Sequence, residues 1–298
     1  MTSKSILQLK DKLAPKLPTI SFEFFPTKTP EAREQLESVI SQLSPFNPTL
    51  VSVTYGAGGS SKDATYETIE YIKNHTGVVP AAHLTCVSAT KDEINEVAQK
   101  YLEIGVNHII ALRGDVPGMK GEYVPTPGGY AYADQLVTGL KKLGNFDITV
   151  AAYPEKHPQA SSLEADIEHL KRKQDAGADR AVMQYCFDND VILRFVEKAR
   201  KAGVTIPIIP GIMPIYNFQQ SRNFSQRCGA DVPKWLVDLF DGTEDNAQLH
   251  NDVALSVALE QCRFLIQEGF ESLHFYTLNR SELIISICQL LGIKAQKS

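Results

Sequence analysis

Short apolar runs of strand length alternate along this chain with longer segments whose apolar residues recur every three or four positions. Eight such runs, each ending in polar residues, read Thr19–Pro26, Leu50–Gly56, Ala81–Cys86, His108–Asp115, Asp147–Pro154, Arg180–Phe187, Ile206–Pro214 and Ser272–Asn279. Between them, Pro30–Leu43 sets Ala32, Leu36, Val39, Ile40 and Leu43 at helical spacing behind a Thr29 cap, and Thr90–Ile104 opens on a Thr90/Glu93 capping box. Ser161–Ala176 and Asp188–Ala202 each stop at a glycine and give way directly to an apolar run. This alternation predicts an α/β architecture with a parallel sheet, here a (β/α)8 TIM barrel. The strand ends of such a barrel open onto one face, where Glu23, Thr54, His83, Arg113, Asp115, Tyr153, Gln184 and Arg280 are expected to converge.

A barrel of this kind takes about 250 residues, so the 298 residues present fit a single catalytic domain over 1–298 with a short N-terminal leader. No low-complexity segment divides it. Two stretches break the rhythm. Val116–Tyr130, with three prolines and four glycines, is too irregular for an ordinary turn and suits a lid or cofactor clamp. Gly229–Ala247, which contains Trp235, is expected to pack as an extra helical turn over the barrel side before a long helix, Val253–Glu268, and is given no chemistry.

A net charge of -5 without a basic cluster argues against nucleic acid or an anionic membrane surface as partner and leaves a small molecule. The five cysteines are odd in number and widely spaced, as buried thiols of a reducing compartment would be. The first sixteen residues lack the apolar centre of a signal peptide, and no apolar run reaches the length of a membrane span. A cytoplasmic protein is expected.

Glu23 is the sharpest candidate. The two-residue strand period puts Phe22 and Phe24 on one face and Ser21, Glu23 and Phe25 on the other. A carboxyl desolvated among aromatics is held neutral and can donate a proton; the competing reading is a structural acid with a basic partner. Asp115 closes the fourth run beside Gly114 and Arg113, either at a ligand or as a turn aspartate. Gly56–Ser60 (GAGGS) could face an anion with its amides, but alone it reads as a flexible turn. His83, inside a strand, fits a hydrogen-bonded core histidine, and Tyr153, Glu155 and His157 form a polar loop just past a strand end. Metal-ligand spacings are absent, so no metal is expected, and without GxSxG a serine hydrolase has no support.

Taken together, SFEFFP, VSVTYGAGG, HLTC, ALRGD, AAYPEKHP, DAGADRAVMQ, IIPGIMP and HFYTLNR resemble, in order and spacing from Thr19 to Gly292, the flavin-dependent methylenetetrahydrofolate reductases, especially the short bacterial form. The resemblance implies a barrel holding FAD, its reduction by NADH or NADPH, and hydride delivery to 5,10-methylenetetrahydrofolate to give 5-methyltetrahydrofolate. It implies Glu23 as the general acid that protonates the nitrogen released when the folate ring opens to its 5-iminium cation. Asp115 is implied as the ionised acid that contacts the pterin and supports that cation. Implied flavin contacts are Tyr55, Ala57, His83, Arg113, Gly114, Asp115, Ala133, Tyr153, His157, Ala160, Asp166, His169, Arg172 and Lys173. Thr54 is implied at the nicotinamide, and Gln184, Gln220, Phe224 and Arg280 at the folate.

Asp166, His169 and Lys173 share one helical face, suited to the FAD diphosphate. Many bacterial relatives have Asn where His169 stands, and GAGGS is closer to the eukaryotic version. The chain lacks the regulatory region of those longer enzymes, so inhibition by S-adenosylmethionine is not expected, while a homo-oligomer is. Two other readings stay open: a barrel aldolase or isomerase acting on a phosphorylated sugar, and a non-catalytic flavin- or folate-binding protein.

Overall fold

The computed structural model describes residues 17–55, 62–115 and 123–296. The leader, the GAGGS segment with Ala57, and the start of the 116–130 loop lie outside the described residues.

Nine parallel strands form the sheet: β1 Thr19–Phe24, β2 Leu50–Val53, β3 Pro80–Thr85, β4 His108–Leu112, β5 Asp147–Ala152, β6 Arg180–Met183, β7 Ile208–Ile209, β8 Gly211–Ile212 and β9 Ser272–Tyr276. Their order is β7-β6-β5-β4-β3-β2-β1-β9-β8, which wraps nearly into a closed barrel. The run read as one strand, Ile206–Pro214, is therefore two pieces. Pro210 has no N–H to give a ladder, so Ile208–Ile209 pairs with β6 and Gly211–Ile212 pairs with β9 on either side of it. The Pro210 carbonyl still accepts from His274 N–H at 2.9 Å, which keeps the seam shut. Gly211 is required there: a Cβ would sit 2.3 Å from the Met183 carbonyl and 2.5 Å from the Tyr276 ring.

The helices are α1 Pro30–Leu43, α2 Lys62–His75, α3 Lys91–Glu103, α4 Ala133–Leu143, α5 Leu163–Asp175, α6 Asn189–Lys201, α7 Phe218–Cys228, α8 Lys234–Phe240, α9 Ala247–Gln267 and α10 Glu282–Leu290. Their starts follow local chemistry. Thr29 caps α1 by accepting from Ala32 N–H, Thr90 and Glu93 close the capping box of α3, and Ser162 caps α5. The long helix starts six residues before the expected Val253, because Asn246 accepts from Leu249 N–H and caps α9. The 229–247 insertion supplies α8, whose Phe240 stacks on Phe218 at the start of α7 with centroids 4.6 Å apart, so it braces that helix.

Alternation in the strands separates two apolar layers. Phe22, Phe24, Val51, Val53, Ile109, Ala111, Ile148 and Val150 belong to the large cluster packed with the helices. The interior holds a small separate cluster of Leu50, Ala81 and Ile110 with Leu112 against it. The rest of the interior is polar, with Ser21, Glu23, Ser52, His83, Thr149 and His274 all buried.

Candidate active site

A cleft of about 580 Å³ opens where β4 and β5 end and α4 and α5 begin. Eleven implied flavin residues line it: Arg113, Gly114, Asp115, Ala133, Tyr153, His157, Ala160, Asp166, His169, Arg172 and Lys173. Gly114 sits at φ +84, where a Cβ would lie 2.8 Å from Thr85 Cβ and 2.9 Å from Val87 Cγ2, so both its conformation and its space demand glycine. Arg113 is held by three neighbours. Its Nη1 donates to Gln159 Oε1 at 2.6 Å, its Nε donates to the Gly114 carbonyl at 3.1 Å, and its guanidinium lies 4.7 Å from the Tyr123 ring centroid. Asp115 stays exposed, with Oδ1 3.8 Å from Arg113 Nη2.

The shared face of α5 does structural work as well as lining the cleft. Asp166 Oδ2 accepts from His157 N–H at 2.7 Å, and Lys173 Nζ donates to the Ala151 carbonyl at 2.5 Å. Burial pulls the Lys173 amine down to about 8, against the pull of Asp166. Burial also lowers His157, helped by Arg113, and lowers His169, helped by Arg172. Tyr153 packs edge-on to His157 at 4.8 Å, and burial raises its hydroxyl.

Glu23 lies in the barrel interior, on the face opposite Phe22 and Phe24 as the strand period requires. The expectation that burial keeps it neutral is corrected. Burial does raise it, but His83 and His274 outweigh that effect and hold the carboxyl at about 2. Their Nε2 atoms stand 3.3 and 3.6 Å from Glu23 Oε2. His83 is thus a buried histidine, as its place inside a strand suggested, and its Nε2 faces a carboxylate. Tyr276 bridges the two regions: burial raises its hydroxyl well above the usual range, with Glu23 and then Tyr153 as the next influences.

The remaining implied residues lie around the same mouth without lining this cleft. Thr54 and Tyr55 follow β2, and burial raises the Tyr55 hydroxyl. Gln184 follows β6 and its Oε1 accepts from Tyr185 N–H at 3.0 Å. On α7, Gln220 is exposed, and Phe224 stacks on Tyr185 with centroids 6.0 Å apart. Arg280 is exposed, with its guanidinium 4.2 Å from the Tyr216 ring centroid. The sequence reading missed Tyr123, Tyr132, Asp134 and Gln159 in the cleft, and His274 beside Glu23. His274 and Tyr276 were detectable, because Ser272, His274 and Tyr276 alternate onto one face of a strand that pairs with Ser21 and Glu23.

The chain matches the family model described as methylenetetrahydrofolate reductase over residues 8–292. It is 44% identical over 275 residues to the 5,10-methylenetetrahydrofolate reductase of Escherichia coli (strain K12), covering 92% of this chain and 91% of that one. It is 42% identical over 292 residues to the enzyme of the same name from Pectobacterium carotovorum subsp. carotovorum, covering 98% and 94%. A solved structure of an uncharacterized Clostridium thermocellum protein that binds two copies of 5-methyl-5,6,7,8-tetrahydrofolic acid has the same fold. The TM-score is 0.63 at 15% identity, over 96% of this chain and 97% of that one. This chain therefore belongs to the methylenetetrahydrofolate reductase family.

Proposed function

We propose that the protein reduces 5,10-methylenetetrahydrofolate to 5-methyltetrahydrofolate with bound FAD and NADH or NADPH as reductant, in a ping-pong sequence through one barrel mouth. The observation that supports it best is the pairing there of a cation-lined cleft with a buried, imidazole-flanked carboxyl. The cleft fits a dinucleotide cofactor. Its volume lies within the usual range of about 300–1,000 Å³ for ligand pockets, and Gly114 brings bare backbone to its wall. The buried Tyr123 hydroxyl also has no partner among the described residues. Arg113, Arg172 and Lys173 would hold the diphosphate; an ammonium has three donors, of which Lys173 gives one to Ala151. FAD, when bound, supplies a two-electron carrier between nicotinamide and folate.

The chain's own residues do the rest. Glu23 passes a proton to the nitrogen that leaves as the folate ring opens. Asp115 supplies negative charge to the cation so formed. Phe224, paired with Tyr185, gives a planar surface for the pterin, and Gln184 and Gln220 orient it by amide hydrogen bonds. Thr54 meets the nicotinamide, and Arg280 binds a carboxylate of the folate tail. The five thiols, none of them paired, suit a cytoplasmic setting, and a homo-oligomer is part of the same reading.

The test is anaerobic mixing. The purified protein should be yellow, release FAD on denaturation, bleach with one nicotinamide, and regain colour on addition of methylenetetrahydrofolate. A colourless protein that cannot be reconstituted with FAD contradicts the reading. Lys173, its amine held at about 8 in the cleft, is the residue that would favour the aldolase alternative. Borohydride trapping of a sugar phosphate on Lys173 would support that alternative.

A further inference from the structure

Glu23 is expected to donate a proton, yet two imidazoles flank its carboxyl and favour the carboxylate. The geometry around His274 resolves this. Ser21 and His274 are register partners on β1 and β9, so their side chains share the interior face with Glu23, two residues further along β1. Ser21 Oγ lies 2.8 Å from His274 Nδ1 and 3.5 Å from the Leu273 carbonyl. The hydroxyl can turn its hydrogen to that carbonyl and accept from Nδ1–H, so this contact accommodates a ring protonated at Nδ1. Nε2 is then fixed toward Glu23, 3.6 Å away, in an environment where His274 is fully buried and Nε2 has no hydrogen-bond partner among the described residues. A bare Nε2 facing a bare carboxylate would be two acceptors opposed. A shared proton removes the conflict. The other groups facing the carboxyl are His83, for which no comparable tether is seen among the described residues, and the Tyr276 hydroxyl, which is spent on the Met183 carbonyl at 2.9 Å.

We propose that His274 is a positioning residue which, locked by Ser21, shares with Glu23 the proton that the carboxyl delivers to the substrate. This rests on the reading of Glu23 as the general acid. In the proposed step the carbon–nitrogen bond breaks and its electron pair stays on nitrogen. Nitrogen takes the single shared proton by way of Glu23, which ends as a carboxylate. The imidazole ends neutral with its Nδ1–H still on Ser21, and one proton from water restores it each turnover. Ser21 is buried and serves only as the tether.

Two measurements test this. First, ¹⁵N-histidine NMR of the purified protein should show both ring nitrogens of His274 protonated, and Glu23→Gln should strip the proton from Nε2. A ring with one N–H that ignores Glu23→Gln overturns the proposal. Second, His274→Gln keeps a polar side chain but cannot store a proton. Its loss should be confined to folate reduction, slowed roughly ten- to a hundredfold with an altered pH profile, while flavin bleaching by nicotinamide persists. Unchanged folate reduction, or equal loss of both half-reactions, refutes a proton-sharing role. Should His274→Gln fail to fold, Ser21→Ala tests the same tether and should give a smaller loss of the same kind. A wild-type protein that fails to reduce the folate would overturn the functional reading alone, since the NMR result would still decide whether the proton is shared.

Discussion

At the residue scale, the strand period separated Glu23 from Phe22 and Phe24, but neither which face is the interior nor the charge of the carboxyl was legible in the sequence. Its electrostatic partners come from β3 and β9, strands remote in the chain that meet only when the barrel closes. The environment of Asp115 is the opposite, exposed beside Arg113 and free to meet a ligand. Asp115→Asn preserves shape and removes charge, so folate reduction should fall by about a hundredfold or more while FAD stays bound; stopped-flow traces of the folate half-reaction check this. Gly114→Ala should damage the cleft itself. A left-handed backbone angle and a Cβ pressed against Thr85 and Val87 predict a cost of about 1–3 kcal/mol, read as a lower Tm and weaker FAD retention.

At the element scale, local chemistry was the most legible layer. The Thr90/Glu93 box was readable because it is written within four residues, and both of its bonds form, with Thr90 N–H to Glu93 Oε2 at 2.8 Å and Glu93 N–H to Thr90 Oγ1 at 3.3 Å. Thr90→Ala should cost about 1 kcal/mol and leave turnover unchanged, measured by thermal unfolding alongside steady-state assay. The split between β7 and β8 was harder to read, since Pro210 ends one pairing and starts another within a single apolar run. The cleft was readable where the family motifs lie after β4 and β5. Tyr123 and Gln159 escaped notice because they enter it only by packing on Arg113 from their own loops.

At the scale of the whole molecule, the two ends of the barrel divide the labour. The mouth carries the cleft, while the starts of β4, β5 and β6 are tied by Arg180, which donates to both Asp147 oxygens at 2.7 and 2.9 Å and to His108 Nε2 at 2.9 Å. Accepting from Arg180 requires a neutral ring, and burial holds His108 at about 4, below its ordinary 6.5. Between these values the unfolded chain binds a proton that the folded one refuses. Stability therefore falls as the pH drops from 6.5 toward 4, with a limiting slope of about 1.4 kcal/mol per pH unit. Thermal unfolding from about pH 7.5 to about pH 5 should show this decline, flattened in His108→Gln. Glu23 acts in a lower window: its depressed carboxyl contributes above 4.5, and that contribution disappears as pH falls to about 2.

In the proposed cycle one barrel mouth runs two half-reactions, of which only the second needs the Glu23 proton. Glu23→Gln, followed anaerobically by flavin absorbance, tests it most directly. The variant should bind FAD and be bleached by its nicotinamide, while reoxidation by methylenetetrahydrofolate should slow by about a hundred- to ten thousandfold. Equal loss of both half-reactions, or loss of neither, would contradict it.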